Sequence, residues 1–149
     1  MDKKKALTKA RDICSRQEQC KQDILFKLSK WDVSESDSEQ ILRILEQEGF
    51  IDHIRYATSF ISDKLRFNKW GKIKIRWMLR QKEIPEDIIE RAISTIDEDE
   101  YINLLTAELR KKMKSLTPRD KRDLKGKLLQ FASQRGFEYE IIYKVMNKL

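Results

Sequence analysis

Apolar residues return at three- and four-residue intervals along almost the whole chain, and nowhere do they alternate strictly over a strand's length. That spacing predicts an all-α protein. Leu7, Ala10 and Cys14 mark a first helix, Cys20, Ile24, Leu28 and Trp31 a second, and Ile41, Leu42 and Leu45 a third. The third is bounded at both ends: Ser36 with Glu39 has capping-box spacing, and Gly49 is the residue type that closes helices in a left-handed turn. Ala57, Phe60 and Ile61 carry a fourth helix, residues 66–82 a fifth, and Pro85 opens a sixth through Ile88, Ala92 and Ile96. A seventh runs from about Tyr101 to Met113 after the acidic stretch IDEDE. Thr117 and Pro118 read as a cap and first-turn pair for an eighth, and Ile141, Ile142, Val145 and Leu149 lie on a ninth.

The nine segments repeat. Leu28, Leu79 and Ala132 each close a basic amphipathic helix, and each is followed five positions later by an apolar residue: Val33, Ile84 and Phe137. An aliphatic pair then begins the next helix, Ile41 with Leu42, Ile88 with Ile89 and Ile141 with Ile142, the first copy carrying four extra residues in VSESDSEQ. Upstream, Tyr56 and Phe60 correspond to Tyr101 and Leu105. The predicted architecture is an elongated, gently curved array of three tandem three-helix repeats, over residues 1–50, 51–97 and 98–149. A three-helix unit of this size has a thin core, and stacking lets each unit cover the apolar face that its neighbour exposes.

Composition supports helix and narrows the chemistry. Among 149 residues there are only four Gly and two Pro, and 38% of side chains are charged, for a net charge of +7. That excess favours an acidic or polyanionic partner through long-range attraction. Cys14 and Cys20 lack zinc-site spacing and read as small buried residues. No apolar run approaches the ~20 residues of a membrane span, and the first residues lack a signal peptide's apolar stretch, so a cytoplasmic protein is expected. With no sustained heptad seam, a monomer is expected.

The positive charge is not spread evenly. Residues 1–50 hold ten bases and ten acids, whereas 66–82, RFNKWGKIKIRWMLRQK, hold seven bases and no acid, and 110–127 hold nine bases and two acids. Wound as one helix at about 100° per residue, Lys69, Lys72, Arg76 and Arg80 fall within about 80° of one another. Ile75, Met78 and Leu79 then form one apolar flank and Trp70, Ile73 and Trp77 the other, so the helix should pack on two sides around a cationic strip. Two readings of the strip stand. Lys and Arg are good helix formers whose stems cover apolar surface while their heads stay hydrated. Alternatively, like charges at this spacing cost a few tenths of a kcal/mol each and call for an anionic partner. The tryptophans likewise read either as core residues or as stacking platforms.

Three stretches together resemble the RecX family, modulators of the bacterial recombinase RecA. In RQEQCKQDILFKL, Arg16, Cys20, Lys21, Asp23, Ile24, Lys27 and Leu28 fill the family's places. GFIDHIRYA, residues 49–57, is similar to the family's Gly, aromatic, aliphatic, Asp-Asp, Arg, aromatic, Ala, with His53 in place of the second Asp. In KWGKIKIRWMLRQKEI, Gly71, Ile75, Leu79, Lys82 and Ile84 match, and Glu83 replaces a usual Gly. Asp32 and Glu83 stand at the helix-closing position that Gly136 fills in the third copy, so each must accept a left-handed conformation or end its helix differently.

The resemblance implies a regulator, not an enzyme, that binds along the groove of the RecA nucleoprotein filament and takes part in recombination, repair and the SOS response. A chain without a phosphate-cradling glycine loop, with His53 as its only histidine, offers little for catalysis, and no metal or cofactor is expected. His53 reads as a surface residue in a first turn, and IDEDE as helix-start acids rather than metal ligands. The residues expected to meet RecA or DNA are Arg66, Lys69, Lys72, Lys74, Arg76, Arg80 and Lys82, together with Arg110, Lys111, Lys112, Lys114, Arg122 and Lys125. Weak, sequence-independent contact with DNA is expected beside RecA; the other reading is a general DNA-binding helical module that acts without RecA and binds bare DNA strongly and with steep salt dependence.

Overall fold

An aspartate starts the first helix of each unit. Asp2, Asp52 and Asp97 precede α1 (Lys3–Arg16), α4 (His53–Asp63) and α7 (Glu98–Ser115), and their carboxylates accept from the Lys5, Arg55 and Glu100 N–H groups at 2.8, 3.1 and 3.0 Å. Each cap satisfies an N–H that the helix itself cannot. The remaining helices are α2 (Lys21–Lys30), α3 (Glu35–Gln47), α5 (Lys72–Gln81), α6 (Glu86–Ile93), α8 (Lys121–Gln134) and α9 (Tyr139–Met146). The computed structural model describes residues 1–149, and it contains no strand.

The second helix of each unit ends identically. Asp32, Glu83 and Gly136 take φ values of 55°, 59° and 91°, and the next residue's N–H reaches back to a buried position: Val33 to the Leu28 carbonyl at 3.0 Å, Ile84 to Leu79 at 3.2 Å and Phe137 to Ala132 at 3.2 Å. This is the six-to-one bond of a Schellman turn, and the apolar residue after it plugs the core. Asp32 and Glu83 therefore accept the left-handed conformation that glycine adopts without strain.

The repeat register is tighter than the sequence suggests. α3, α6 and α9 each begin two residues after Val33, Ile84 and Phe137, so the first connection has no inserted residues. Ser38, not Leu42, is the partner of Ile89 and Ile142, and all three are buried. The extra length lies at the far end of α3, which has 13 residues against 8 in α6 and 8 in α9. Within SESDSEQ the cap is Ser34, accepting from the Asp37 N–H at 3.1 Å, rather than Ser36. Asp120, not Thr117 with Pro118, caps α8 by accepting from the Asp123 N–H at 2.7 Å. The acids of IDEDE occupy the first turn of α7 and its cap, as expected of helix-start carboxylates. Leu149 lies beyond the end of α9.

Three successive cores result. Ala10, Ile24, Leu28 and Ile41 centre the first, Ala57, Ile75, Leu79 and Ile89 the second, and Leu105, Leu109, Ala132 and Ile142 the third. Cys20, from the first unit, is buried in the second core, while Leu65 and Ile96 pack against both the second and the third. Each unit thus covers its neighbour in a linear array. Both cysteines are buried.

Candidate interaction surface

The segment expected to form one basic helix is broken. α4 runs on through a π-helical turn, Lys64–Asn68, and Lys69 follows with φ 56°; only Lys72 begins α5. Lys69 and Trp70 are therefore not on the α5 face. Nor does α5 pack on two sides: Ile75 and Leu79 are fully buried, but Ile73 and Trp77 are 52% and 56% exposed.

The cationic strip is paired internally. Arg76 donates through Nε and Nη2 to both oxygens of Glu90, at 2.9 and 3.2 Å, and Arg80 grips Glu86 in the same way. Lys72 Nζ donates to Glu98 at 2.9 Å and Lys82 Nζ to Asp23 at 2.8 Å. The Arg76 bonds hold the Glu90 carboxyl below its ordinary value, and those of Glu86 push the Arg80 guanidinium up. An uncompensated strip over Lys69, Lys72, Arg76 and Arg80 is thus not present, because α6 and the start of α7 bring carboxylates to it. Lys74 lies over the Trp70 ring at 4.5 Å, and Arg66 stands beside Phe67 at 5.9 Å.

The second basic region has a different character. Arg110, Lys111 and Lys114 at the end of α7, and Arg122 and Lys125 at the start of α8, are exposed and take part in no ion pair. Lys121 joins them. The one acid of α8, Asp123, is engaged by Lys127 at 3.2 Å and Arg119 at 3.6 Å, besides accepting from the Arg119 N–H at 3.0 Å. Those bonds keep its carboxyl below the usual range. Lys112 is drawn aside over Phe131, at 5.2 Å. The end of the α7–α8 hairpin is where unpaired positive charge accumulates.

Between the first and second units lies an open cleft of about 800 Å³. Phe26, Phe60 and Met78 provide its apolar parts, and Gln22, Lys27 and Asp63 its polar ones. Asp23 sits at its edge, where it also accepts from the Cys20 N–H at 3.3 Å. Burial alone would raise the Asp23 carboxyl, but the bonds from Lys82 and Cys20 outweigh it and hold it low. Nearby, Arg55 Nε donates to Glu18 at 2.5 Å. His53 is half-buried rather than a surface residue: its Nε2 accepts from the Lys21 N–H at 3.4 Å, and burial together with Lys21 lowers its pKa.

No cluster of three or more His, Cys, Asp and Glu side chains is arranged to hold a metal ion. No helix is long and apolar enough to cross a membrane. The fold defines an all-α protein of tandem three-helix units.

Two family models match the chain: RecX, second three-helix domain, over residues 52–93, and RecX, third three-helix domain, over residues 98–146. The chain is 32% identical over 148 residues to the regulatory protein RecX of Prosthecochloris aestuarii, spanning 99% of this chain and 95% of that one. With regulatory protein RecX of Clostridioides difficile it shares 29% identity over 145 residues, 97% of this chain and 68% of the relative. A crystal structure of regulatory protein RecX superposes with a TM-score of 0.88 at 26% identity, covering 97% of this chain and 73% of the other. RecX from Lactobacillus salivarius gives a TM-score of 0.86 at 22% identity, over 99% and 96%, a likeness of fold. The chain belongs to the RecX family of regulatory proteins.

Proposed function

We propose that this chain modulates RecA negatively: it binds the RecA nucleoprotein filament and limits its recombinase and ATPase activity in the cytoplasm, without catalysing a reaction itself. The observation that carries this reading is the family match along a tandem array whose surface offers contacts over its length. Three units, 1–50, 51–97 and 98–149, act as one jointed binding surface, and linked weak contacts reinforce one another through high effective concentration. The monomer suffices for this.

Among the thirteen cationic residues expected at the interface, nine are in no ion pair, and five of these, Arg110, Lys111, Lys114, Arg122 and Lys125, are exposed together on α7 and α8 and carry the electrostatic part. Lys72, Arg76, Arg80 and Lys82 contribute less, since any anion must first displace their own carboxylates. The same unpaired cluster favours a second reading, a DNA-binding module that acts without RecA.

A titration of RecA's DNA-dependent ATPase and strand exchange, beside a salt series of binding to bare DNA, separates the two. Inhibition at few copies per filament with weak bare-DNA binding is the expected result. Tight, steeply salt-dependent binding to bare DNA with no effect specific to RecA would establish the module instead. Charge reversal at Lys111, Lys114, Arg122 and Lys125 should flatten the salt dependence by roughly 0.7–0.9 in log–log slope for each phosphate no longer neutralised.

A further inference from the structure

Two large aromatic side chains stand at the same place in consecutive units. Phe26 lies two residues before Leu28 and Trp77 two before Leu79, on the second helix of the first and second units. They are 61% and 56% exposed, and each has an apolar companion, Leu25 at 46% and Ile73 at 52%. The third unit has the exposed Gln130 at this position. Burying neither ring in its own fold, the protein leaves apolar area in water twice, at one repeat position.

The charge around these rings selects the kind of partner. Base stacking on single-stranded nucleic acid needs a positively charged groove beside the aromatic platform, to hold the phosphates. Beside Trp77, Arg76 and Arg80 are already engaged bidentately by Glu90 and Glu86. Beside Phe26 one unpaired cation, Lys30, lies over the ring at 4.6 Å, whereas the densest run of unpaired cations lies on α7 and α8. An exposed Trp with Ile one turn away, rimmed by paired Arg and Glu, has the composition of a protein–protein anchor. Phe26 borders the open cleft, so a segment inserted beside it would find Phe60, Met78, Gln22 and Asp63. One anchor repeated in successive units suits a partner that repeats its own pocket.

We propose that Phe26 and Trp77 are protein-docking anchors that enter like apolar pockets on neighbouring copies of one subunit in a repeating assembly. The proposal rests on the filament reading above and deepens it: aromatic anchors on α2 and α5 bind protein, and the α7–α8 cations bind the polyanion. Both rings are exposed, so their removal leaves the cores intact.

The test compares Phe26→Ala, Trp77→Ala and the double variant with the unaltered chain. Binding is measured to RecA filaments on single-stranded DNA and to the bare oligonucleotide, with thermal melts as the control for folding. Each single variant should bind the filament at least about tenfold more weakly and the double variant more weakly still, with bare-oligonucleotide affinity unchanged within about twofold. Filament binding by the double variant equal to that of the unaltered chain overturns the anchors alone. A parallel loss on the bare oligonucleotide overturns them in favour of base stacking. If the unaltered chain does not bind the filament at all, the filament reading falls, and the anchors with it.

Discussion

The two junctions between units are built on the same plan and differ in how closely backbone meets backbone. At the second, Gly71 N–H donates to the Arg135 carbonyl at 2.7 Å and Ile73 N–H to the Gly136 carbonyl at 3.0 Å, so the start of α5 is bonded directly to the left-handed turn before α9. A Cβ on Gly71 would overlap the Gly136 carbonyl and the Phe137 nitrogen, and one on Gly136 would come within 2.7 Å of the Lys74 nitrogen. Tyr101 completes the seam: its hydroxyl accepts from the Lys72 N–H at 2.9 Å and donates to the Glu138 carboxylate. At the first junction the corresponding positions are Cys20 and Glu83, and both carry a Cβ. No backbone-to-backbone bond joins α2 to the second unit. Side chains bridge the gap instead, through Lys82 with Asp23, Arg55 with Glu18 and His53 with the Lys21 N–H, and the cleft stays open. Tyr56, placed in α4 as Tyr101 is in α7, turns toward Cys20 and Asp23; burial and those neighbours push its hydroxyl well above the ordinary range. The two absent Cβ atoms thus distinguish a seam where backbone meets backbone from one bridged by side chains.

The largest way to break this contrast is to put a side chain into the closed seam. Gly136→Ala incurs left-handed strain of about 1–2 kcal/mol and a backbone overlap of about 1–3 kcal/mol, and urea unfolding should register roughly 2–5 kcal/mol in all. Gly71→Ala, at φ −84°, carries the overlap without the strain and should cost less. Equal costs for the two would contradict the role given to the left-handed turn.

At the first junction, Lys82→Ala should cost about 1 kcal/mol, discounted because the pair is partly exposed, and should raise the Asp23 pKa measured by NMR. The Asp23 carboxyl is held below 3.8 in the fold, so its contribution is complete above that value and is lost as pH falls through the folded pKa. An Asp23 titration that ignores the substitution would remove the ion pair from the junction.

Glu83→Gly sharpens the comparison in the other direction. Glu83 is exposed at φ 59°, so relieving its strain, less the entropy that glycine adds to the unfolded chain, should stabilise by about 0.5–1 kcal/mol. A destabilised variant would mean that the side chain holds the junction.

The smallest effect belongs to His53. Its pKa lies below 6.5 in the fold because burial and Lys21 disfavour the charged ring, so the neutral, accepting form is the native one. The contribution is fully present above 6.5 and declines as pH falls toward the folded pKa. His53→Gln should flatten stability between pH 7 and 5, as followed by chemical denaturation.

Much of this architecture is legible in the chain. Leu28 with Val33, Leu79 with Ile84 and Ala132 with Phe137 announce the helix ends, since a Schellman turn puts its apolar plug five residues beyond a buried position. The cap in SESDSEQ is not legible, because several Ser and Asp residues there can accept the same bond, and only the packing of Ser38 and Ile41 selects Ser34. That choice also misplaces the four residues of the first repeat. The start of the fifth helix is similarly hidden: nothing in RFNKWG marks Lys69 as left-handed.

Local sequence, then, determined what local forces govern: helical periodicity, aspartate caps, left-handed stops and the threefold repeat, all of which depend on groups within a few residues of one another. The tertiary structure alone decided which cations remain free and which rings stay wet. Glu90 and Glu86 reach Arg76 and Arg80 from α6, Glu98 reaches Lys72 from α7, and Asp23 reaches Lys82 across 59 positions. Coulomb attraction and burial act through space, so a charge's partner is set by helix packing, which the order of residues along one helix does not contain.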